Sequence, residues 1–562
     1  MEFYVQNGHG VVEGYSRSQT PLIKTIPGVA IIGNLGRFPL SQEALFHVSD
    51  VFSGHDLSLL PPPKTNTGKA GCEFSYKTEP FKHQQRWFDK TKDETVYGIF
   101  WEMGLGKTKL ALDNAAYLYA KGEIDTLIVI TLNGVHLNWV HKEIPAHLPD
   151  YCDALCVAWD STKYTGKVKY FREALDSLFK HEGLAILTCN VEAFSKETVL
   201  GVCQKLATKR KAMCVVDEAH CIKEQSAKRT KNVLKLAPLC KYRRIMTGTP
   251  AANSPLDLFT QMAFLDKEIL GHKSYYSFRS RYAILQPVRE MGGRIKKYRG
   301  RVVETVVGYK DVEELTGKIE PWSTRLTKDQ CLDLPPKIYT QAPFLMSEDQ
   351  QKIYKALVKD TVAEFKGGRV SSPMALTRLI RLHQIVCGFV VTDEDVLTSI
   401  GAFPSPRLKM LLSVVSQVRG KAIIWATYRK SLQDIVSALK HHYGAASTVG
   451  YSGETPSELR PKVVERFQSN PECRFFVGQP KAGGTGITLT AANDVIYYSN
   501  DYSLNIRLQS EDRAHRIGQA GAVTYTDIVA ANTIDEDILA SLKDKFDLAS
   551  KITGDQLVEW LK

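Results

Sequence analysis

Short apolar runs separated by amphipathic stretches dominate two parts of the chain. Between Val96 and about Asp266 the runs are VYGIF, TLIVIT (126–131), LAILT (184–188), MCVVD (213–217) and RIMT (244–247). A strand buried on both faces reads as a continuous apolar run, and helices between such strands make the sheet parallel. The pattern returns in AIIWA (422–426), FFVG (475–478), DVIYY (494–498) and AVTYTDIV (522–529), alternating with segments of helical period such as SLQDIVSALKHH. Two α/β units of similar design are therefore expected, each a parallel sheet covered by helices.

The rest of the pattern is different. Residues 267–405 read as mainly helical: SEDQQKIYKALVKDTVAEFK opens on a Ser-x-Asp start signal and stops before Gly367-Gly368. The same region contains VREMGGRIKKYRGRVVETVVGY, a candidate hairpin turning at Gly292-Gly293. SLLPPPKTNTGKAG (58–71) has the composition of a linker and sets the first 75 or so residues apart. The expected division is a small N-terminal unit (1–75), a first lobe (76–266), a connecting region (267–405) and a second lobe (406–562). A chain of 562 residues also exceeds what one core organises.

Charge changes the picture more than composition does. Lys and Arg number 73 against 61 Asp and Glu, a net charge of +12, which favours a polyanionic partner and nucleic acid first. The 11 cysteines are scattered with no C-x-x-C pair, the usage of reduced thiols in a cytosolic protein. MEFYVQNGHG has neither a basic start nor an apolar stretch, and no run is long enough to span a bilayer, so secretion and membrane insertion are not expected.

Candidate chemistry begins at WEMGLGKT (101–108). A phosphate-binding loop is usually G-x-x-x-x-G-K-[ST]; here Trp101 stands at the first glycine, while Gly106, Lys107 and Thr108 are in place. Gly104 and Gly106 let backbone N–H groups approach phosphate, Lys107 neutralises phosphate oxygens, and the Thr108 hydroxyl suits Mg²⁺. CVVDEAH (214–220) then ends a buried strand on two acids. Asp217 is placed to hold Mg²⁺ through water and Glu218 to polarise an attacking water. Two adjacent carboxylates beside a core are costly unless they have a use.

With these residues in view the chain resembles helicase superfamily two, and within it the Swi/Snf family of double-stranded-DNA translocases, whose phosphate loop reads D-E-M-G-L-G-K-T. Trp101 replaces the family's aspartate. The likeness runs in order from about residue 80 to the C-terminus. FKHQQ (81–85) resembles the adenine-reading Q motif, TLNGVHLNWVHKE (131–143) motif Ia, and LTCNVEAF (187–194) motif Ib. MTGTPAANSPLDLF (246–259) is similar to motif III, QPKAGGTGITLTAA (479–492) to motif V, and QSEDRAHRIGQ (509–519) to motif VI. WSTRLTKDQCLDLPPK (322–337) resembles the family's connector into the second lobe.

The resemblance implies two tandem RecA-like parallel-sheet lobes, a helical connecting region and a small N-terminal α+β domain, with a DEAH-box ATPase site between the lobes. Phe81, Gln84, Gly104, Leu105, Gly106, Lys107, Thr108 and Gly484 would hold ATP, with Mg²⁺ on Thr108 and Asp217. Lys107, Asp217, Glu218, Gln509 and the arginine fingers Arg513 and Arg516 would carry catalysis. His220 is either a coupling residue or a packed histidine, and Thr247 and Thr249 are placed to link the nucleotide site to a DNA-gripping loop. Asn138, Trp139, Thr188, Thr427 and Thr485 would face DNA. REMGGRIKKYRGR (289–301) adds Lys296, Lys297 and Arg299 beside Tyr298, either lining a duplex or forming a solvated hairpin.

Residues 21–52 resemble the HARP-type domain of annealing helicases, with Arg37 and Phe38 where that domain carries a tryptophan. The expected function is a monomeric ATP-dependent translocase on duplex or forked DNA, in a bacterial or phage-infected cytoplasm. A fork-remodelling or annealing motor, an RNA helicase and a non-catalytic binding module remain open beside it.

Overall fold

The computed structural model describes residues 73–553 less the short stretches 290–293, 299–300, 368–371, 392–395, 457–458 and 484–486, together with Asp555 and, near the start, residues 2–6, 9–13, 19–26, 29–32, 35–39, 44, 47–48 and 51–52. Strands β1 (Glu2–Gln6), β2 (His9–Glu13), β3 (Ala30–Ile32) and β4 (Leu35–Pro39) form an antiparallel sheet in the order β1-β2-β4-β3. Val12, Ile23, Ile26, Phe38, Ala44, Val48 and Phe52 form its own small core.

The first lobe is built on β5 (Val96–Trp101), β6 (Thr126–Thr131), β7 (Leu155–Ala158), β8 (Ala185–Asn190), β9 (Ala212–Asp217) and β10 (Tyr242–Met246). Side chains alternate across a strand, so each apolar run feeds two cores. Ile128, Ile130, Cys214 and Val216 go to one face of the sheet, and Leu127, Val129, Met213 and Val215 to the other.

Beyond β10 the chain is less helical than its sequence pattern suggests. A hairpin does form here, but its main pair, β11 (Ala283–Pro287) antiparallel to β14 (Glu304–Tyr309), starts before the expected stretch 288–309, within which lie a minor pair of β12 (Lys297–Tyr298) and β13 (Arg301–Val302) and an Arg289–Ile295 bridge. Its proposed Gly292-Gly293 turn lies outside the described residues. Next, β15 (Ser323–Leu326) pairs in parallel with β5, giving a seven-stranded parallel sheet ordered β15-β5-β10-β9-β6-β8-β7. The connecting region thus supplies an outer strand to the first lobe. It supplies one to the second lobe as well, through β16 (Lys337–Phe344).

After a helix pair, Glu348–Gly367 and Ser372–Val386, come the small pair β17 (Phe389–Val391) and β18 (Leu397–Ser399). The second sheet uses β19 (Lys421–Trp425), β20 (Thr448–Tyr451), β21 (Phe475–Gly478), β22 (Ala492–Tyr497) and β23 (Val523–Ala530), in the parallel order β16-β23-β22-β19-β21-β20. Here too alternation divides the cores, with Ala422 and Ile424 opposite Ile423 and Trp425. Among the described residues no helix is long and apolar enough to cross a membrane.

The last helix, Ile534–Thr553, ties the lobes together. It begins in the second core with Ile534, Ile538 and Leu542, and Ile552 joins the first core. Thr316 Oγ1 donates to Ile552 O at 3.0 Å. On β15, Arg325 donates to both carboxylate oxygens of Asp555 at 2.7–3.0 Å, and to Phe100 O and Gly248 O at 2.9 and 3.1 Å. Removing one partner of a mostly buried ion pair strands the other, at a cost of about 3 kcal/mol. Arg325→Ala is therefore expected to lower the melting temperature and to speed amide exchange in the last turns of Ile534–Thr553; unchanged exchange there would show that Ile552 alone holds the helix down.

Candidate functional site

The phosphate-binding loop leaves β5 at Trp101 and enters the helix Lys107–Ala120. Its bend is made by Gly104 and Gly106, at φ 84° and 75°, a region that L side chains rarely adopt. A Cβ on Gly106 would also sit 2.0 Å from Gln84 Nε2. Trp101 needs no such freedom. It is the last residue of the strand, fully buried in the core below the loop, so the motif's first glycine is dispensable here. Lys107 Nζ donates to Trp101 O and Glu102 O at 2.9 and 3.1 Å. Burial lowers its pKa against the pull of Glu218 and Asp217. Thr108, half-buried, follows in the helix's first turn.

Gln84 is almost fully buried and already engaged with this loop. Its Oε1 accepts from Phe81 N at 2.8 Å, and its Nε2 donates to Leu105 O and Gly106 O at 3.3 and 3.4 Å. Phe81 is half exposed and stacks on His83, centroids 5.8 Å apart. His83, which sequence reasoning passed over, bonds Leu105 O through Nε2 at 3.0 Å. The Q-motif segment therefore braces the loop, with the Phe81 ring left available for a base.

The acid pair stands at the end of β9. Glu218 occupies a left-handed conformation (φ 54°), unusual for a side-chain-bearing residue. Asp217 accepts from Glu218 N and from Trp139 Nε1, both at 3.0 Å. Burial, then the charge of Glu218, raises the Asp217 pKa to about 6. Burial also acts on Glu218, yet His220, Lys107 and Arg513 bring it below the usual carboxylate range. Glu218 Oε2 is buried, 3.3 Å from His220 Nδ1, without a well-aligned hydrogen bond. Two crowded carboxylates, one starved of positive charge and one with an idle oxygen, fit a divalent cation held through Asp217 and Thr108. Among the described residues no group of three or more His, Cys, Asp or Glu side chains stands ready to hold a metal by itself. A nucleotide-site Mg²⁺ takes its remaining ligands from phosphate and water.

Two expected DNA contacts are corrected by this geometry. Trp139 is 1% exposed, turned inward by a π-helical turn at Trp139–Glu143 and bonded to Asp217. Thr188 is fully buried and donates to His136 O at 3.0 Å. Both hold the interior of the first lobe. Asn138 is half-buried on the same segment, and the candidate contacts Lys296 and Lys297 are exposed on the hairpin. Arg299, Gly484 and Thr485 lie outside the described residues. Thr427 lines a cleft of about 340 Å³ with Arg429, Gln479, Lys481, Asp501 and Ile506.

From the second lobe the helix Leu504–Glu511 leads into the two arginines. Arg513 Nε donates to Gln509 O at 2.9 Å and Nη1 to Ile487 O at 3.1 Å; Arg516 Nη1 reaches Ile487 O at 3.5 Å. Burial pushes the Arg513 guanidinium down to about 10. The Gln509 side chain is buried. Two bridges absent from the sequence reading cross between the lobes. Asn505 bonds His220 Nε2 at 2.9 Å and Thr249 Oγ1 at 2.8 Å. Lys328, nearly buried between β15 and β16, donates from its backbone N to Glu102 Oε2 at 2.8 Å and from Nζ to Asp512 and to His515 O.

A phosphate-binding loop, an acid pair at the next strand end but one, and a facing lobe that carries arginines define a two-lobed P-loop nucleotide-binding protein. Residues 82–388 match the SNF2-related domain and residues 406–518 the helicase conserved C-terminal domain. The chain belongs to the SNF2-related family. It is 27% identical to a putative ATP-dependent helicase/translocase, YwqA, of Bacillus subtilis over 80% of this chain and 46% of that one. It is 26% identical to the Drosophila melanogaster SWI/SNF-related regulator of chromatin subfamily A-like protein 1 (80% and 53%), and 28% to the mouse DNA annealing helicase and endonuclease ZRANB3 (81% and 38%). The chain spans about half or less of the length of these curated relatives. The Sulfolobus solfataricus SWI2/SNF2 ATPase core in complex with dsDNA is 24% identical, over 86% of this chain and 95% of that one, with a TM-score of 0.38.

A raised carboxyl pKa has a sign that can be tested. Asp217 binds its proton more tightly folded than unfolded, so its contribution to stability is full below about pH 4 and lost as pH rises through about 6. Asp217→Asn removes that loss, and the variant is expected to be more stable than wild type at pH 7.5 by about 1–3 kcal/mol, with the gap closing below pH 4. Denaturant titrations at both pH values check this; a wild type of equal stability at pH 7.5 would mean that the two carboxylates are already compensated.

Proposed function

We propose that this chain is an ATP-hydrolysing motor that moves along double-stranded DNA. The observation that carries the reading is Glu218: buried, kept ionised by His220, Lys107 and Arg513, and left with one oxygen free of hydrogen bonds. An ionised carboxylate with an unused oxygen is suited to accept a hydrogen bond from water, and so to orient and polarise it. Lys107 would leave its two backbone carbonyls for phosphate oxygens, and Gly104, Leu105, Gly106 and the start of the Lys107–Ala120 helix would supply N–H donors. Phe81 would cover the adenine, with Gln84 setting the loop behind it. Thr108 and Asp217 would hold Mg²⁺, which offsets the charge of the phosphate oxygens. Arg513 and Arg516 would turn from Ile487 O toward the terminal phosphate when the lobes close, Gln509 beside them.

Differential affinity of closed and open lobes for ATP then becomes movement. On the second lobe Thr427 and Thr485 would hold one phosphate track, with Gly484 on the ATP side of the same segment; Asn138 and the hairpin lysines would serve the first lobe and its surroundings. Contacts of this kind fix register without reading sequence, so binding should weaken steeply with salt. The four-part division of the chain at about 75, 266 and 405, with a monomeric motor in a bacterial or phage-infected cytoplasm, belongs to the same reading.

A second reading, a fork-remodelling or annealing motor, rests on the separate four-stranded N-terminal sheet and on the name of the ZRANB3 relative. One experiment separates the two. Steady-state ATP turnover is measured for wild type and Glu218→Gln with no polymer, duplex, single-stranded DNA, forked DNA and RNA. Strong stimulation by plain duplex, lost in Glu218→Gln, is expected; stimulation confined to forks would favour the second reading, and none by any polymer would sink both.

Two further variants test roles within the site. Lys107→Ala should abolish turnover while salt-sensitive DNA binding survives, and turnover near wild type would remove the phosphate-loop assignment. Arg516→Ala should bind ATP within about threefold of wild type but lose at least about a hundredfold in kcat. Unchanged DNA-stimulated kcat would make that arginine structural.

A further inference from the structure

Asn505 sits where the two lobes meet, and its amide is matched on both sides. The carbonyl oxygen accepts from Thr249 Oγ1 at 2.8 Å, and the amino group lies 2.9 Å from His220 Nε2. With the amide in this orientation the imidazole nitrogen facing its N–H donor is the unprotonated one, and His220 carries its proton on Nδ1. That N–H faces Thr247 Oγ1 at 3.5 Å and Glu218 Oε2 at 3.3 Å. Thr249 N donates to the same Thr247 hydroxyl at 3.1 Å, which closes a ring through Asn505, His220, Thr247 and Thr249 with Glu218 at its edge.

The other side of Asn505 points to what moves it. Ser503 Oγ accepts from Ile506 N at the start of its helix, and Ile506 and Asp501 line the 340 Å³ cleft that also holds Thr427 and Lys481. Lys481 Nζ is 2.8 Å from Asp501. A phosphate entering the cleft would compete for Lys481 and shift the segment that carries Asn505. We propose that Asn505 is a positioning residue through which the second lobe sets the tautomer of His220, and thereby the placement of Glu218, with that cleft as the link from Asn505 to DNA. The proposal rests on the DNA-dependent ATPase reading for its consequence, though the tautomer does not.

Asn505→Ala removes both contacts; Asn505→Asp keeps the volume and the Thr249 partner but cannot donate to His220. Both variants, once shown to melt like wild type, are expected to lose about tenfold in duplex-stimulated kcat, with KM for ATP within about twofold, as fits one lost hydrogen bond. Combined with His220→Ala, Asn505→Ala should add nothing further, because the two act in series. Independent, multiplying effects would overturn the proposal, as would Asn505→Asp at wild-type kcat. Imidazole ¹⁵N spectra of the free protein, with His220 assigned by its loss in His220→Gln, give a readout free of turnover. The Nδ1–H tautomer is expected in wild type and a mixture in Asn505→Ala; the same state in both would overturn the assignment even if no polymer stimulates ATP turnover.

Discussion

Two neighbouring carboxylates, Asp217 and Glu218, are buried at the end of a parallel sheet, and most of the site is arranged around the cost of that placement. Charge in a low-dielectric interior must be compensated nearby or given up. Glu218 keeps its charge because His220, Lys107 and Arg513 surround it. Asp217, with an indole N–H and one backbone N–H, does so less completely, and its pKa rises. The pair is thus unequal by construction: Glu218 stays ionised, while Asp217 holds its charge less readily.

The parallel sheet is what brings the compensating groups together. Parallel strands point their C-terminal ends the same way, so the loop after β5, the acids after β9 and the Thr247–Thr249 segment after β10 share one edge, with β5, β10 and β9 as neighbours. A facing edge is supplied by the second lobe. Among the described residues, what crosses at that edge is polar and sparse, an amide at Asn505 and a lysine at Lys328, while Ile552 and the ion pair of Arg325 with Asp555 pin the helix Ile534–Thr553 to the first lobe elsewhere. Sparse polar contacts suit surfaces that separate and rejoin, since hydrogen bonds are exchanged with water at little net cost, whereas a packed apolar face would hold the lobes shut.

Legibility in the sequence followed burial. The interior strands β5, β6, β8, β9 and β10 of the first sheet and β19, β21, β22 and β23 of the second each announced themselves as apolar runs. The four edge strands β7, β15, β16 and β20 did not. An edge has one neighbour and often one wet face, so β16, KIYTQAPF, carries alternating exposed positions and no continuous run. That is why the connecting region read as helical. In the candidate site, residues proposed from a fixed spacing are brought together by the fold: Lys107, Asp217, Glu218 and Arg513. Trp139 was read as facing DNA from the likeness of its segment to motif Ia, while a π turn, invisible to periodicity, rotates it onto Asp217. Asn505 and Lys328 gave no signal, because each matters through a partner far away in the chain.

Trp101 shows how far a motif can drift while its physics holds. The loop needs backbone freedom where its N–H groups converge, at Gly104 and Gly106, and both are left-handed. At the strand end it needs a support. A buried indole packed below the loop, with the His83 ring edge-on at 5.5 Å and His83 itself bonded to Leu105 O, provides that support from the side on which Gln84 also grips the loop. A glycine at position 101 would leave a cavity beneath the turn that Lys107 must hold steady, and large-to-small changes in such a place cost several kcal/mol. The departure from the usual pattern is thus a packing solution to the same constraint, and it leaves the phosphate-facing atoms where the unchanged residues put them.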